Sequence, residues 1–203
     1  MDDCDAAVGA GATLLGFNFW SQSKRYVGPT LAVLLAEAVP APVIRVGLFV
    51  NATAEEVRQI VNAVPLDILQ FHGDESPEFC RSFDMPFMKA FRLRDEAVLR
   101  CIPDYLDDRN HPFLVDAYVP GEVGGTGKLA SWPLAIQAQA LSSRMLLAGG
   151  LHAKNVNEAV QAVNPWGVDV ASGIEDNTGR KDRIAMDAFV TAAHRGHMET
   201  VSP

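Results

Sequence analysis

The chain has 203 residues, of which 48% are hydrophobic and 21% charged, a composition that suits one globular domain. Its formal net charge of −8 weighs against a nucleic-acid backbone or an anionic membrane surface as the main partner. The 3 cysteines lack metal-ligand spacing, their odd number favours a reducing compartment, and no apolar run is long enough to span a bilayer. We therefore expect a single domain over residues 1–203 in the cytoplasm, with no nucleic-acid or membrane partner.

Seven apolar runs of strand length recur along the chain. They are rich in Val, Leu, Ile and Phe, and most end in glycine, asparagine or an acid, as buried parallel strands do. We predict strands at Thr13–Trp20, Val43–Val50, Asp67–Phe71, Pro86–Phe91, Pro112–Ala117, Met145–Ala148 and Gly167–Ala171.

Eight segments carry helical periodicity, and the first of them precedes every strand. Two starts have capping signals, because Glu56 stands three residues after Thr53 and Pro77 follows Ser76. Strands and helices alternate, which predicts parallel βα units in one domain. The predicted helices are Asp2–Gly9, Thr30–Ala38, Ala54–Val64, Ser76–Phe83, Asp95–Leu106, Trp132–Leu141, Ala153–Val163 and Asp182–Ala193.

Seven strands and eight helices, with a helix first, predict a (β/α)8 barrel whose opening strand is missing from this chain. A length of 203 residues is at the lower end for such a barrel. The competing architecture is a doubly wound open sheet, whose first βα turn usually carries Gly-x-Gly-x-x-Gly. No such motif is present, so we favour the α/β class with a TIM-barrel fold.

The segment after Phe113 is the most informative for function. The apolar run ends on an acid, Asp116, where α/β folds bind ligands, and a glycine-rich loop follows. The glycines allow the backbone to approach a ligand closely; they are Gly121, Gly124, Gly125 and Gly127. The alternative is a surface loop in which Asp116 caps a turn.

Two late strand ends have the composition of phosphate-binding loops. Gly149 and Gly150 follow the sixth strand, and Ser172 and Gly173 follow the seventh. Barrels commonly bind a phosphate through backbone N–H groups of their last two loops. The alternative is a pair of tight left-handed turns without a ligand.

Basic and polar side chains follow two other strands. Arg25 could bind a carboxylate through two hydrogen bonds, or lie in a solvated basic loop. His72 could serve as an acid, a base or a ligand donor, or as a structural histidine. The stretch ending at Lys128 is not a P-loop, because Glu122 and Leu129 replace the required glycine and hydroxyl residues.

Together these segments resemble the phosphoribosylanthranilate isomerase family of tryptophan biosynthesis. The resemblance covers essentially the whole chain and rests on Gly16-Phe17, Ser23–Tyr26, Val46–Asn51, Leu69–Gly73, Leu114–Asp116, Gly124–Lys128, Gly149–Leu151, Val168–Gly173 and Gly179–Asp182. It implies a barrel that catalyses an Amadori rearrangement of a phosphorylated anthranilate–ribose substrate without a cofactor. We expect a monomer or a weak homodimer.

The resemblance also implies roles for single residues. Asp116 would be the general acid that protonates the furanose oxygen, and desolvation should raise its pKa. Arg25 would bind the anthranilate carboxylate. The other substrate-binding residues would be His72, Gly125 and Gly127, and the phosphate-binding residues would be Gly149, Gly150, Ser172 and Gly173.

The family's general base is a cysteine on the first strand, in a segment that reads like Lys-Ile-Cys-Gly, and this segment is absent from the chain. Cys4 lies in the first predicted helix, and Cys80 and Cys101 lie in later ones, so none takes that role. We expect the chain as written to be poorly stable or inactive as an isomerase, because the lost strand would expose sheet edges.

Two other functions remain as alternatives. The chain could be a non-catalytic barrel that binds a phosphosugar or serves as a partner subunit, although the presence of Asp116 weighs against this. It could also be another phosphosugar barrel, such as indole-glycerol-phosphate synthase or the tryptophan synthase α subunit. Those enzymes use Lys/Glu or Glu/Asp pairs at strand ends, and only Lys89 could play such a part here.

Overall fold

The computed structural model describes residues 2–106, 111–117 and 132–201. Within this part of the chain, seven strands and eight helices alternate, as the sequence predicts. The strands are β1 (Leu14–Asn18), β2 (Ile44–Phe49), β3 (Ile68–Phe71), β4 (Phe87–Arg92), β5 (Phe113–Asp116), β6 (Met145–Ala148) and β7 (Gly167–Val168). The helices are α1 (Asp2–Ala10), α2 (Pro29–Ala38), α3 (Ala54–Ala63), α4 (Pro77–Arg81), α5 (Glu96–Cys101), α6 (Trp132–Gln139), α7 (Val156–Val163) and α8 (Arg183–Val201).

The strands form a seven-stranded sheet whose order follows the chain from β1 to β7. Every described pair of neighbouring strands is parallel. A doubly wound sheet reverses its strand order at a switch point, whereas successive βα units of a barrel keep the chain order. The fold is therefore that of the TIM-barrel class, and the open-sheet alternative is wrong.

The contacts divide the chain into two compact units, Met1–Ala90 and Phe91–Pro203. In the first unit, β1 to β4 bury an apolar core that includes a cluster of aromatic rings around Phe71. Thr53 begins α3 with the predicted capping box, since its hydroxyl accepts from the Glu56 N–H and the Glu56 carboxylate accepts from the Thr53 N–H. These contacts fix the helices that carry the chain from one strand end to the next.

In the second unit, β5 and β6 are almost completely buried because both of their faces are apolar. Leu114 and Leu147 have no solvent exposure, and Met145 is equally buried. The last two helices cover this core with one face each, through Val160 of α7 and Phe189 of α8. Asp116, at the end of β5, is only half-buried, so its carboxyl is not part of the core.

Most predicted elements are shorter in the structure than in the sequence analysis, whereas α8 continues to Val201, beyond the predicted end at Ala193. The helix predicted at Asp95–Leu106 is α5 followed by a 3-10 turn at Ile102–Tyr105, because Pro103 has no N–H to continue an α-helix. The strand predicted at Gly167–Ala171 ends at Val168, since the chain turns into a 3-10 helix at Ser172–Ile174. Helix α7 begins at Val156 rather than Ala153.

Candidate active site

Each sequence-predicted site residue that the structure describes lies beyond the carboxyl end of a strand or at its last residue. In the first unit, Arg25 follows β1 and His72 follows β3. In the second unit the remaining residues end or follow β5, β6 and β7, and they are Asp116, Gly149, Gly150, Ser172 and Gly173. Barrel enzymes carry their catalytic residues at this end of the strands.

Arg25 is held by a turn that the end of β1 organises. The Asn18 side-chain amide donates to Ser23 Oγ at 3.2 Å, and this hydroxyl oxygen accepts from the Arg25 N–H at 3.1 Å. The Val27 N–H returns to the Asn18 carbonyl at 2.8 Å, which closes the turn. The backbone of Arg25 is thus fixed beside β1, and its side chain is half-buried.

His72 continues the line of β3, because its N–H donates to the Phe49 carbonyl of β2 at 2.8 Å. Its imidazole Nδ1 lies 3.0 Å from Nε2 of Gln70, which is only 6% exposed. An imidazole that accepts this bond from the amide carries its proton on Nε2. His72 can therefore donate from Nε2 while Gln70 fixes the ring.

Two hydrogen bonds hold the peptide group that links Asp116 to Ala117. Its carbonyl accepts from the Leu93 N–H at 3.0 Å, and the next residue, Ala117, donates to the Ala148 carbonyl at 2.9 Å. Asp116 is paired with Ala148 in the register of β5 and β6. The backbone of Asp116 is therefore fixed beside Ala148, the last residue of β6.

A second carboxyl, Asp169, lies near Asp116, and sequence reasoning did not assign it a role. Burial by the surrounding protein raises the pKa of Asp169, and the negative charge of Asp116 raises it further. The Lys181 charge and the Val170 N–H act in the opposite direction. Asp169 is nevertheless an exposed residue, so protein atoms surround its carboxyl while a ligand can still reach it. In the sequence, Asp169 could have been identified because it directly follows Val168, the last residue of β7, as Asp116 directly follows Val115.

The loop after β6 turns through two glycines with positive φ, 98° at Gly149 and 63° at Gly150. The Asn155 side chain holds the loop, since its Nδ2 donates to the Gly150 carbonyl at 3.1 Å and its Oδ1 accepts from the His152 N–H at 2.8 Å. No hydrogen bond from the N–H groups of Gly149 or Gly150 occurs to any residue that the structure describes. These donors remain available to an anion.

The loop after β7 packs directly against the β6–α7 loop through Gly173. A Cβ atom at this position would collide with the Leu151 carbonyl oxygen, so only glycine fits. Lys181 supports the same segment, because its Nζ donates to the Ala171 carbonyl at 2.8 Å and pairs with the Glu175 carboxylate at 3.1 Å. A pocket of about 280 Å³ opens beside Gly173 and is lined by His152, Ala153 and Lys154.

None of the three cysteines follows a strand. Cys4 lies in α1, where burial raises its pKa, and Cys101 is exposed at the end of α5. Cys80 lies in α4 with no solvent exposure, and burial raises its pKa to about 12. A thiol with such a pKa is protonated at neutral pH and is a poor general base.

Some predicted positions lie outside the described residues, namely Gly121, Gly124, Gly125, Gly127 and Lys128. Within the described ranges, no group of three or more His, Cys, Asp or Glu side chains could hold a metal ion. No helix in these ranges is long and apolar enough to cross a membrane.

Comparison with known proteins identifies the family. Residues 1–192 match the family model described as N-(5'-phosphoribosyl)anthranilate (PRA) isomerase. The N-(5'-phosphoribosyl)anthranilate isomerase of Thiobacillus denitrificans is 44% identical over 194 residues, which cover 95% of this chain and 93% of that protein. The enzyme of the same name from Trichlorobacter lovleyi is 42% identical over 192 residues, covering 95% and 92% of the two chains.

Solved structures give the same result. The crystal structure of phosphoribosyl anthranilate isomerase from Thermotoga maritima has a TM-score of 0.85 and 32% identity, covering 95% of this chain and 93% of that one. A phosphoribosyl anthranilate isomerase in complex with reduced 1-(o-carboxyphenylamino)-1-deoxyribulose 5-phosphate has a TM-score of 0.83 and 31% identity over the same shares of the two chains. The chain belongs to the N-(5'-phosphoribosyl)anthranilate isomerase family.

Proposed function

We propose that the chain catalyses the isomerisation of N-(5-phosphoribosyl)anthranilate to 1-(2-carboxyphenylamino)-1-deoxyribulose 5-phosphate, a step of tryptophan biosynthesis. The observation that carries this proposal is the arrangement of the second unit, where Asp116 ends β5, and where the N–H groups of Gly149 and Gly150 after β6 make no hydrogen bond to any residue that the structure describes. Gly173, after β7, packs against the same loop. The substrate needs a proton donor near its ring oxygen and a binding site for its phosphate group. This unit has residues of both kinds. No cofactor is needed for this rearrangement.

Asp116 is the general acid in this proposal. The furanose opens when its ring oxygen receives a proton, and a carboxyl at a strand end can deliver it directly. Asp169 adds a second carboxyl close by, and its raised pKa reflects the crowding of this region.

The phosphate is bound by the β6–α7 and β7–α8 loops. The N–H groups of Gly149 and Gly150 donate to it, together with those of Ser172 and Gly173. The contact between Gly173 and Leu151 holds the two loops in register, so the donors do not have to be ordered when the anion binds.

We assign the binding of the anthranilate part of the substrate to residues that follow other strands. Arg25 binds the carboxylate, because a guanidinium can donate two parallel hydrogen bonds to it. His72 contacts the substrate through its Nε2–H. The glycines of the β5–α6 segment, Gly125 and Gly127, complete the substrate-binding set by resemblance to the family.

We further propose that the protein acts in the cytoplasm as a monomer or a weak homodimer. The phosphorylated substrate is a cytoplasmic metabolite in this proposal, and the acidic net charge of −8 keeps copies of the chain apart. A solved relative is described as generated monomers of the dimeric isomerase from Thermotoga maritima, so that protein is a dimer from which monomers were made.

The test is an assay that follows the loss of anthranilate-type fluorescence as phosphoribosylanthranilate is converted. We expect Asp116→Asn to lower kcat by about 10²- to 10⁴-fold, since the amide cannot deliver the proton. Asp95→Asn is the matched control, because Asp95 caps α5 through an oxygen that the amide retains. Equal activity of the two variants would contradict the role of Asp116.

The general base is tested in parallel, since no cysteine of the described chain stands at a strand end. The same assay compares the chain with a version extended at its N-terminus by a Lys-Ile-Cys-Gly strand. Activity in the extended version alone assigns the base to that cysteine. Activity in both versions assigns it to a group already present, and silence of two folded proteins favours a non-catalytic phosphosugar-binding barrel.

A further inference from the structure

The first unit contains a buried ion pair that has no role in the site described so far. Lys89 on β4 is 4% exposed and Glu75, between β3 and α4, is 6% exposed. Lys89 Nζ lies 3.4 Å from Glu75 Oε2. Burying two charges is costly unless each has a full set of partners, so the partners indicate what the pair does.

The partners of Lys89 are carbonyl groups on either side of His72. Nζ donates to the Phe71 carbonyl at 3.2 Å and to the Gly73 carbonyl at 2.6 Å, and it also contacts the Ala90 carbonyl at 3.1 Å. The Phe71 carbonyl belongs to the peptide before His72, and the peptide after His72 is held through the Gly73 N–H, which donates to Glu75, so the ion pair restrains the backbone on both sides of His72. Lys89 thus helps to fix the backbone from which the His72 side chain extends, while Gln70 contacts the ring itself.

The partners of Glu75 are N–H groups of two loops. The Asn51 N–H donates to Oε1 at 2.7 Å, and the Gly73 N–H lies 2.9 Å from Oε2. Asn51, in the left-handed conformation with φ 51°, accepts from the Asp74 N–H at 2.7 Å through its side-chain oxygen. A Cβ atom on Gly73 would collide with Asn51, so the two loops are in direct contact. The network thus joins Lys89, within β4, to the segments that follow β2 and β3.

Stability alone does not account for these charges. Replacing a buried ion pair with apolar side chains of the same volume is often neutral or stabilising, so a core without charge would serve the fold equally well. Apolar side chains, however, cannot bond the carbonyls beside His72 or the N–H groups of Asn51 and Gly73. The pair supplies directional contacts to the loop that ends β3.

We propose that Lys89 and Glu75 are positioning residues, which hold the backbone at His72 so that its imidazole meets the substrate in one orientation. The proposal rests on the proposed function, in which His72 contacts the substrate. Neither residue touches the substrate itself. Their effect passes through Phe71, Gly73 and the ring contact from Gln70 to His72.

The test variant is Glu75→Gln/Lys89→Met, which removes both charges and leaves no single charge buried. Its matched control is Arg45→Met/Asp67→Asn. That pair joins β2 and β3 near their opposite, amino-terminal ends, with a guanidinium nitrogen 2.8 Å from the carboxylate. Glu75→Asp is a further variant that keeps the charge, and so the fold, but shortens the reach to Asn51 and Gly73.

Two measurements separate positioning from a merely structural role. The first is a double-mutant comparison, in which kcat/KM is measured with and without His72→Asn in each background. We expect the test variant to lose about 10- to 100-fold, as misplacement of a binding group does, and to lose nothing more when His72→Asn is added. The control variant should keep the wild-type kcat/KM and show the full effect of His72→Asn.

The second measurement is the ¹⁵N signal of the His72 imidazole, assigned by its disappearance in His72→Asn. We expect Glu75→Gln/Lys89→Met and Glu75→Asp to shift or broaden this signal, while the Arg45→Met/Asp67→Asn control leaves it in place. The proposal would be overturned if the losses of kcat/KM caused by Glu75→Gln/Lys89→Met and by His72→Asn multiplied when the changes were combined. It would also be overturned if the His72 signal stayed unchanged in folded variants. An inactive wild-type chain would count against the proposed function, and the imidazole signal would then decide this inference alone.

Discussion

Asp169 is a carboxyl of the candidate site to which the sequence analysis assigned no role. Its carboxyl lies among protein atoms that raise its pKa, beside Asp116, whose charge acts in the same direction. A group with this environment is less stable when ionised than it is in the unfolded chain. The folded protein therefore pays a cost at neutral pH for keeping an acid at this place, which is typical of a functional position.

The first prediction at this scale concerns Asp169→Asn. Because the folded pKa is raised, the native state binds more protons than the unfolded state between the unfolded and folded pKa values. The wild type therefore loses stability as pH rises through the folded pKa, and the amide avoids this loss. We expect the variant to be more stable than the wild type at pH 7, with the difference vanishing below the unfolded value of 3.8.

Urea unfolding midpoints measured across this pH range test the prediction. Asp95→Asn is the control, because the side-chain oxygen with which Asp95 caps α5 is also present in asparagine. We also expect Asp169→Asn to lower kcat/KM by about 10- to 100-fold, the loss of one hydrogen bond to a charged group. A variant less stable than the wild type at pH 7 would contradict the pKa argument.

Some single residues could be recognised from the sequence and others could not. Asp116 was visible because it ends an apolar run, and the structure places it at the end of β5. Lys89 also stands within an apolar run, but its partners are backbone carbonyls of another strand. Every residue has a backbone carbonyl, so such partners cannot be recognised in a sequence. The pairing of Lys89 with Glu75 could therefore be found only in the structure.

At the scale of elements, the sequence predicts the number, order and type of strands and helices correctly, because each strand is a continuous apolar run and each helix has its own periodicity. The ends were less accurate, as at β7, where tertiary packing turns the chain after Val168. The contact between the loops after β6 and β7 was also beyond sequence reasoning. It depends on the approach of Gly173 to a carbonyl group, which has no counterpart in a local pattern.

The prediction at this scale is that Gly173→Ala impairs phosphate binding. The added methyl group would collide with the Leu151 carbonyl, so the two loops must separate and their N–H donors must move. We expect KM for the substrate to rise by about 10-fold or more, the loss of one to two hydrogen bonds to a charged group, with a smaller change in kcat.

Gly167→Ala is the matched control for this change. Gly167 lies in β7 of the same segment, and the nearest atom to a new Cβ is Leu146 Cγ at 3.8 Å, an ordinary contact. We expect its KM to equal that of the wild type. The measurement is the fluorescence assay, supported by a titration with inorganic phosphate as competitor. Equal inhibition constants for phosphate in the two variants would contradict the assignment of this loop to the anion site.

At the scale of the whole molecule, the reaction rates of the cysteine thiols measure how well the fold excludes reagents from its interior. Cys101 is exposed on α5, whereas Cys80 has no exposed surface and a pKa of about 12. A disulfide reagent reacts with the thiolate. At pH 8 such a pKa leaves only about 10⁻⁴ of the Cys80 thiol ionised in the folded protein.

Because Cys80 has no exposed surface, we expect it to react through opening of the first unit, and at least about 10³-fold more slowly than the exposed Cys101. Mass spectrometry of the labelled chain, with Cys101→Ser and Cys80→Ala variants to assign each modification, gives the two rates. Because reaction requires opening, the Cys80 rate should rise with urea and the Cys101 rate should not. Rapid labelling of Cys80 in a protein that binds phosphate normally would mean that the first unit opens while the second remains folded, and the stability of the two units would then have to be treated separately.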